Sequence, residues 1–320
     1  MSSELSRLAL NGATMGTRWS ALTYAPATTD AAALQAALAG AVDLVDRQMS
    51  TWKPTSDLMR LNAAPLGVWV PLPAELLFVV AKGLAIGRAS DGAFDIGLGD
   101  LVDAWGFGPG GSRPDAAAVQ SLLSGQRQPT HAVLELDETR GRVRKHAELR
   151  LDLSGIAKGF GVDEMMRVAR SRGLDTVLVA LDGELRACGA KPDGTPWAVA
   201  VEKPDYDRRS TLGVVALQDA AIATSGDYRR WVDVGPARLS HTMDRRRGGP
   251  LRSPVASVTV IAESCVEADA WATALLVLGP TEGSALASRC GLEALFVLRT
   301  DRGLSQVPVG TVFQAAAGGA

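Results

Sequence analysis

Ser257 to Thr273 constrains this chain more than any other stretch. Ser257-Val258-Thr259-Val260-Ile261-Ala262 is rich in β-branched residues and reads as a strand. Ser264 and Glu267 then form an S-x-x-E capping box, the mark of a helix start. Beyond the box the helix is apolar apart from Asp269 and Thr273, which lie four residues apart and so share one face. A carboxylate and a hydroxyl one turn apart near a helix N-terminus can offer two hard oxygen ligands to Mg²⁺. The same pair reads equally well as a buried Asp–Thr hydrogen bond, and the two residues alone do not decide between these.

The chain has 320 residues, enough for one large domain or two intimate lobes. With 47% apolar residues, 21% charged residues and a net charge of −2, it has no global attraction to nucleic acid or to an anionic membrane. No apolar run reaches the length of a membrane span. Met1 to Leu10 has no basic stretch followed by an apolar core, so no signal peptide is visible and a cytoplasmic protein is expected. Cys188, Cys265 and Cys290 form no CxxC pair and suggest no disulfide framework; each reads as a small buried apolar residue.

Along the chain, 11–23 reads as a strand broken at Met15-Gly16-Thr17, and Asp30 to Met49 as a helix with an apolar stripe. Ser56 or Asp57 caps a short turn, and Pro73 opens a helix to about Ser90. Residues 91–111 are Gly-rich and aperiodic, a loop region. Short strands are expected at 133–136, 142–145 and 149–153, then a helix from Ala157 to Arg172 ended by Gly173. Further strands are expected at 176–181, 185–188, 197–202, 214–217, 221–224 and 292–298, with Asp193-Gly194 as a hairpin turn between 185–188 and 197–202. Strands mixed with a few long helices predict an α+β fold of largely antiparallel sheets. Residues 1–10 read as an extension and 313–320 as a frayed tail around a domain at 11–312.

The Rossmann, P-loop, H-E-x-x-H and G-x-S-x-G motifs are all missing. His131 and His146 read as surface residues. His241 lies in a polar loop, Ser240 to Pro250, whose arginine run reads equally as a solvated turn.

Five segments, in order, resemble the ApbE family of FAD:protein FMN transferases. They are Met15-Gly16-Thr17 with Met49 to Asn62; Ser90 to Asp95 with Leu101 to Gly108; Leu151 to Asp163; Ala223 to Tyr228 with the loop holding His241 and Asp244; and the helix opening with Asp269 and Thr273. The resemblance implies a two-lobed single domain and a phosphoryl-type transfer. A threonine or serine hydroxyl of an acceptor protein, expected to be a redox subunit, attacks the FMN-side phosphorus of FAD, and AMP leaves. It also implies Mg²⁺ on Asp269, Thr273 and the Gly155 carbonyl. His241 becomes the candidate general base, with Asp244 orienting it or holding its loop. Lys158 becomes a phosphate-side cation, Asp152 a contact to a polar edge of FAD, and Trp52 a stacking platform where the family has Tyr. Ala93, Phe94 and Asp95 would wrap the flavin, Met15 would floor the pocket, and Met243 would flank it.

The chain departs from the family's H-x-x-D-P-x-T-G loop, carrying Arg245 for Pro and Arg247 for Thr, two cations expected to depress the His241 pKa. It has Asp182-Gly183 where the family favours Gly-Gly. A FAD pyrophosphatase and a non-catalytic FAD carrier therefore remain open alternatives. So do the acceptor's identity, the oligomeric state and, because many relatives are exported, a periplasmic location.

Overall fold

A computed structural model describes residues 5–111, 113–123, 127–235 and 237–317. Its first element is a hairpin of two ten-residue strands, β1 (Leu5–Thr14) and β2 (Thr17–Pro26), closed by Met15 and Gly16, both with positive φ. Leu5 to Leu10, expected as an extension, thus belong to the first strand, while residues 1–4 lie outside the described residues. Asp30 caps α1 (Ala31–Met49) by accepting the Ala33 N–H at 3.0 Å. Ser56 caps α2 (Asp57–Ala63) in the same way. Next come β3 (Trp69–Pro71), α3 (Ala74–Ala89), α4 (Gly99–Ala104), α5 (Ala116–Leu123), α6 (Thr130–Val133), β4 (Leu134–Asp137) and β5 (Arg142–Lys145). Helix α4 falls inside the stretch expected as loop.

No strand forms at 149–153. Asn62 takes the place of a neighbouring strand there: its side chain donates to the Leu151 carbonyl at 3.0 Å and accepts the Leu151 N–H at 2.8 Å. This satisfies the backbone groups that a ladder would otherwise pair.

The second half holds α7 (Ala157–Ser171), β6 (Val177–Leu181), β7 (Glu184–Cys188), β8 (Trp197–Glu202), β9 (Thr211–Leu217), β10 (Ala221–Gly226), the small hairpins β11 (Trp231–Val234) with β12 (Ala237–Ser240) and β13 (Met243–Asp244) with β14 (Gly249–Pro250), β15 (Val255–Ala262), α8 (Cys265–Arg289), β16 (Glu293–Thr300), β17 (Gly303–Val309) and α9 (Val312–Ala317). Helix α8 is broken at Gly279, which has a φ of 77° ahead of Pro280. The expected tail begins as α9, where Phe313 is only 3% exposed and packs under the sheet; residues 318–320 lie outside the described residues.

Eight strands form one antiparallel sheet in the order β1-β2-β6-β7-β10-β15-β16-β17. Helices α1, α7 and α8 cover one face. The β8–β9 hairpin covers the other, with Trp197, Val199, Val215 and Leu217 packed on Ala187, Ile222, Leu295 and Val297. Asp193 does form its turn, accepting the Thr195 N–H at 2.9 Å. The turn joins no hairpin, however, because both edges of β7 are already taken by β6 and β10. A smaller sheet, β3-β5-β4, and α3 close the other end of the molecule, and one continuous apolar core runs from Leu76 and Val143 through Phe94 to Leu275 and Phe296. Cys265 is buried as expected, Cys188 partly so, and Cys290 is exposed at the end of α8. No helix among the described residues is long and apolar enough to cross a membrane.

Helix α8 starts where the capping box predicts, by a different device. The Ser264 hydroxyl donates to the Glu267 carboxylate rather than capping the backbone. The cap is Asp163 of α7, which accepts the Cys265 N–H at 3.0 Å and the Val266 N–H at 2.9 Å while pairing with Arg186 at 2.6 Å. Removing it leaves two helix-end donors and a guanidinium without their anion. Asp163→Ala should therefore lower stability by about 1–3 kcal/mol in urea melts, and Asp163→Asn by less. An unchanged midpoint in Asp163→Ala would show that α8 does not depend on this cap.

Candidate active site

The site is built where α7 and α8 run antiparallel, through three contacts at four-residue steps. Asp163 caps Cys265 and Val266. One turn back along α7, the Gly159 N–H donates to Asp269 Oδ2 at 3.0 Å. Four residues further back, in the turn before α7, a Cβ on Gly155 would stand 3.2 Å from Thr273 Oγ1. Gly159 has no room for a side chain: its Cβ would collide with the Cys265 carbonyl and lie 2.8 Å from Asp269 Cβ. Gly155 therefore lies against Thr273, and Asp269 lies one turn earlier on α8 against Gly159. The competing Asp–Thr hydrogen bond does not form. Asp269 takes the Gly159 N–H, and Thr273 shares a 2.9 Å hydrogen bond with Ser225 of β10. Asp269 is 4% exposed; burial raises its pKa, against the pull of the Lys158 charge and the Gly159 N–H.

Lys158 does not stand free for a phosphate. Its Nζ donates to Glu184 Oε1 at 2.7 Å and lies 3.6 Å from Asp182 Oδ2. Burial alone would lower its pKa, but the carboxylates of Glu184, Asp269 and Asp182 outweigh that and hold it charged. Glu184 is 2% exposed, and its Oε2 has no hydrogen-bond partner. Burial pushes its pKa up, reinforced by Asp269 and Asp182, while the Lys158 ammonium 2.7 Å away opposes this and favours the charged form. Asp182, with a φ of 56°, sits in the β6–β7 turn, a left-handed position that Asp tolerates better than most residues.

His241 follows β12 directly. Its Nδ1 lies 3.2 Å from the Arg230 carbonyl, and its ring meets Phe107 edge-on at 6.3 Å. A carbonyl can only accept, so Nδ1 carries the proton and Nε2 keeps its lone pair. Burial pushes the imidazole pKa down to about 4; the Arg230 carbonyl opposes this, and the charges of Arg230 and Lys158 reinforce it. Arg245 and Arg247 are not the cause. Arg245 is turned away, donating to the Arg127 carbonyl at 3.0 Å and lying 3.7 Å from Asp95. Asp244 does not reach His241 either. It holds the turn, accepting the Arg246 N–H at 2.9 Å.

The remaining candidates divide into exposed and enclosed. Trp52 is 62% exposed on the loop between α1 and α2, which excludes a core tryptophan. Met15, partly buried, packs against both large core clusters, its Cε 3.8 Å from where a Cβ on Gly161 would stand. Ala93 and Phe94 are buried, and the Phe94 ring lies under Gly155. The Asp95 carboxylate points inward, accepting the Gly97 N–H at 2.9 Å, the Thr130 N–H at 3.1 Å and the Thr130 hydroxyl. Asp152 accepts the Ser154 N–H at 2.8 Å in the turn before α7. Met243 is buried with Leu98 and Leu101, flanked by Trp105 and Phe107.

Residues 15–296 match the model of the ApbE family. The chain belongs to the ApbE family. The FAD:protein FMN transferase of Vibrio cholerae serotype O1 is 36% identical over 299 residues, covering 93% of this chain and 89% of its own. That of Escherichia coli strain K12 is 34% identical over 295 residues, covering 91% and 84%. Two solved structures superpose with a TM-score of 0.86. They are the flavin transferase ApbE from Vibrio cholerae, at 32% identity over 98% of this chain and 99% of that one, and the apo flavinyl transferase ApbE of Pseudomonas stutzeri, at 35% identity over 99% and 98%.

Within this ApbE fold, Glu184 and Ser225 are the site residues that sequence reasoning passed over. Glu184 stands opposite Leu181 in the β6–β7 hairpin and so faces the helices from an otherwise apolar strand surface. An acid at such a position was the available signal. Two outcomes are expected in the ligand-free protein. The His241 imidazole signal in an NMR titration should remain that of the neutral ring from pH 7 to pH 5 and change only near pH 4; a midpoint near the ordinary value of about 6.5 would contradict the burial argument. Trp52→Ala should change stability by no more than about 0.5 kcal/mol, because the ring is already in solvent; a larger loss would make it a packing residue.

Proposed function

We propose that this ApbE-family chain is a Mg²⁺-dependent FAD:protein FMN transferase that attaches FMN to a threonine or serine of an acceptor, a redox subunit, and releases AMP. The observation that carries this reading is the α7–α8 contact, which sets Asp269 on the Gly159 N–H and Thr273 against Gly155. The donors of Asp269, Thr273 and Gly155 fit Mg²⁺. They are all hard oxygens, the ligand type that Mg²⁺ takes. A site with one carboxylate, one hydroxyl and one carbonyl leaves positions for water and substrate phosphate, which is how Mg²⁺ is commonly held. Bound there, the ion would neutralise charge on the pyrophosphate.

The chain's own groups supply the rest. In the reaction, the acceptor oxygen bonds to the FMN-side phosphorus, its proton passes to His241 Nε2, and the bond from that phosphorus to the bridging oxygen breaks to free AMP. A base with a pKa of about 4 is unprotonated at neutral pH but pulls weakly. The negative pyrophosphate brought beside it raises its proton affinity. The exposed Trp52 offers a flat face for a ring of FAD.

Incubation with FAD, Mg²⁺ and a candidate acceptor tests the proposal. Acceptor mass gain of one FMN with one AMP supports it. FMN and AMP without acceptor gain would mean a pyrophosphatase, and intact FAD would mean a carrier. Asp269→Ala should abolish transfer; near-normal Mg²⁺-dependent activity would end the metal assignment. His241→Ala should slow transfer by about 10²–10⁴-fold with FAD affinity kept, and lost FAD binding with a normal saturated rate would make His241 a substrate contact instead. Trp52→Ala should weaken FAD binding several-fold, as expected for stacking worth about 1 kcal/mol; equal affinity would remove Trp52 from the site.

A further inference from the structure

We infer that Glu184 is a positioning residue that holds the Lys158 ammonium away from Asp269, keeping that carboxylate available to a divalent cation. The inference rests on the metal reading above and goes beyond it. Lys158 is adjacent in sequence to Gly159, whose N–H binds Asp269 Oδ2 at 3.0 Å, so its side chain starts one residue from that carboxylate, yet its ammonium pairs with Glu184 and Asp182 instead. In the dry interior the attraction of an ammonium for a carboxylate is large. What diverts the ammonium is a 2.7 Å bond to Glu184 Oε1 from β7, on the adjoining sheet.

Three features make Glu184 the restraint. It is 2% exposed, so its charge is little screened. Its Oε2 has no partner, which leaves Lys158 as the only group among the described residues that bonds its side chain. A buried carboxylate of this kind costs desolvation that a hydrophobic side chain would avoid. Asp182, the other carboxylate near Lys158, lies at 3.6 Å with its side chain 51% exposed, and solvent weakens its hold. Without the Glu184 charge, Asp269 is the buried carboxylate left to draw Lys158, which would then compete with the metal for it.

The test is Mn²⁺ binding by the full chain in the presence of FAD, followed by electron paramagnetic resonance. The parent should bind. Glu184→Gln should bind about tenfold or more weakly, the scale of one freed unit charge at short range. Glu184→Asp should recover part of the loss. The double variant Glu184→Gln/Lys158→Met should regain near-parental affinity, because the competitor is gone. Parental affinity in Glu184→Gln overturns the inference. So does a double variant as weak as Glu184→Gln alone, which would make Glu184 a support of the fold. A parent that binds no Mn²⁺ overturns the metal reading itself, and the inference with it.

Discussion

The antiparallel contact between α7 and α8 is the constraint on which the rest of the site depends. It is held at its outer end by an ion, where the Asp163 carboxylate caps the first amides of α8, and in the middle by the Gly159 N–H on Asp269. The two glycines of α7 and its approach, Gly155 and Gly159, let the backbones come close enough for side chains of one helix to meet main chain of the other. Helical spacing then does the rest. Once the register is set at Asp163, a step of four residues brings Asp269 to Gly159, and Thr273, one turn further along α8, meets Gly155 in the turn before α7. The sheet supplies the third wall, with Ser225 of β10 reaching Thr273 and Glu184 of β7 reaching Lys158.

The electrostatics follow from this geometry. A single ammonium stands among three carboxylates, two of them buried, in a place that burial alone would make hostile to the ammonium and to both buried carboxylates. Such a cluster has an excess of negative charge that a cation can relieve. The same ammonium helps keep His241 neutral, so the position of Lys158 bears on both the metal side and the proton-accepting side. The Arg230 carbonyl fixes which nitrogen of His241 is free.

Most helices, and the inward faces of strands, were legible in the sequence because they rest on local rules. Asp30 and Ser56 cap where short polar side chains precede apolar periods, and Gly173 ends α7 with positive φ. The errors fall where a distant residue satisfies a local need. Asn62 substitutes for a strand at Leu151, and Asp163 replaces Ser264 as a cap. The Asp193 turn is real, but strand pairing was settled by β10. Within the site, Asp269 and Thr273 were visible from spacing, whereas the partners of Lys158 and His241 were not, since Glu184 and Arg230 reach them only through tertiary packing. The Arg245 departure looked like added charge near His241. It is absorbed instead by Asp95 and the Arg127 carbonyl, which a linear sequence does not reveal.

The most direct measurement of the central claim compares Gly159→Ala with Gly161→Ala. Both make the same substitution inside α7 and the same gain in helix propensity. At Gly159 the new methyl would collide with the Cys265 carbonyl; at Gly161 it would meet the flexible end of Leu181 at 3.3 Å. If the α7–α8 contact builds the site, folded Gly159→Ala loses Mn²⁺ binding while Gly161→Ala retains it. Equal Mn²⁺ binding by the two variants would contradict the account.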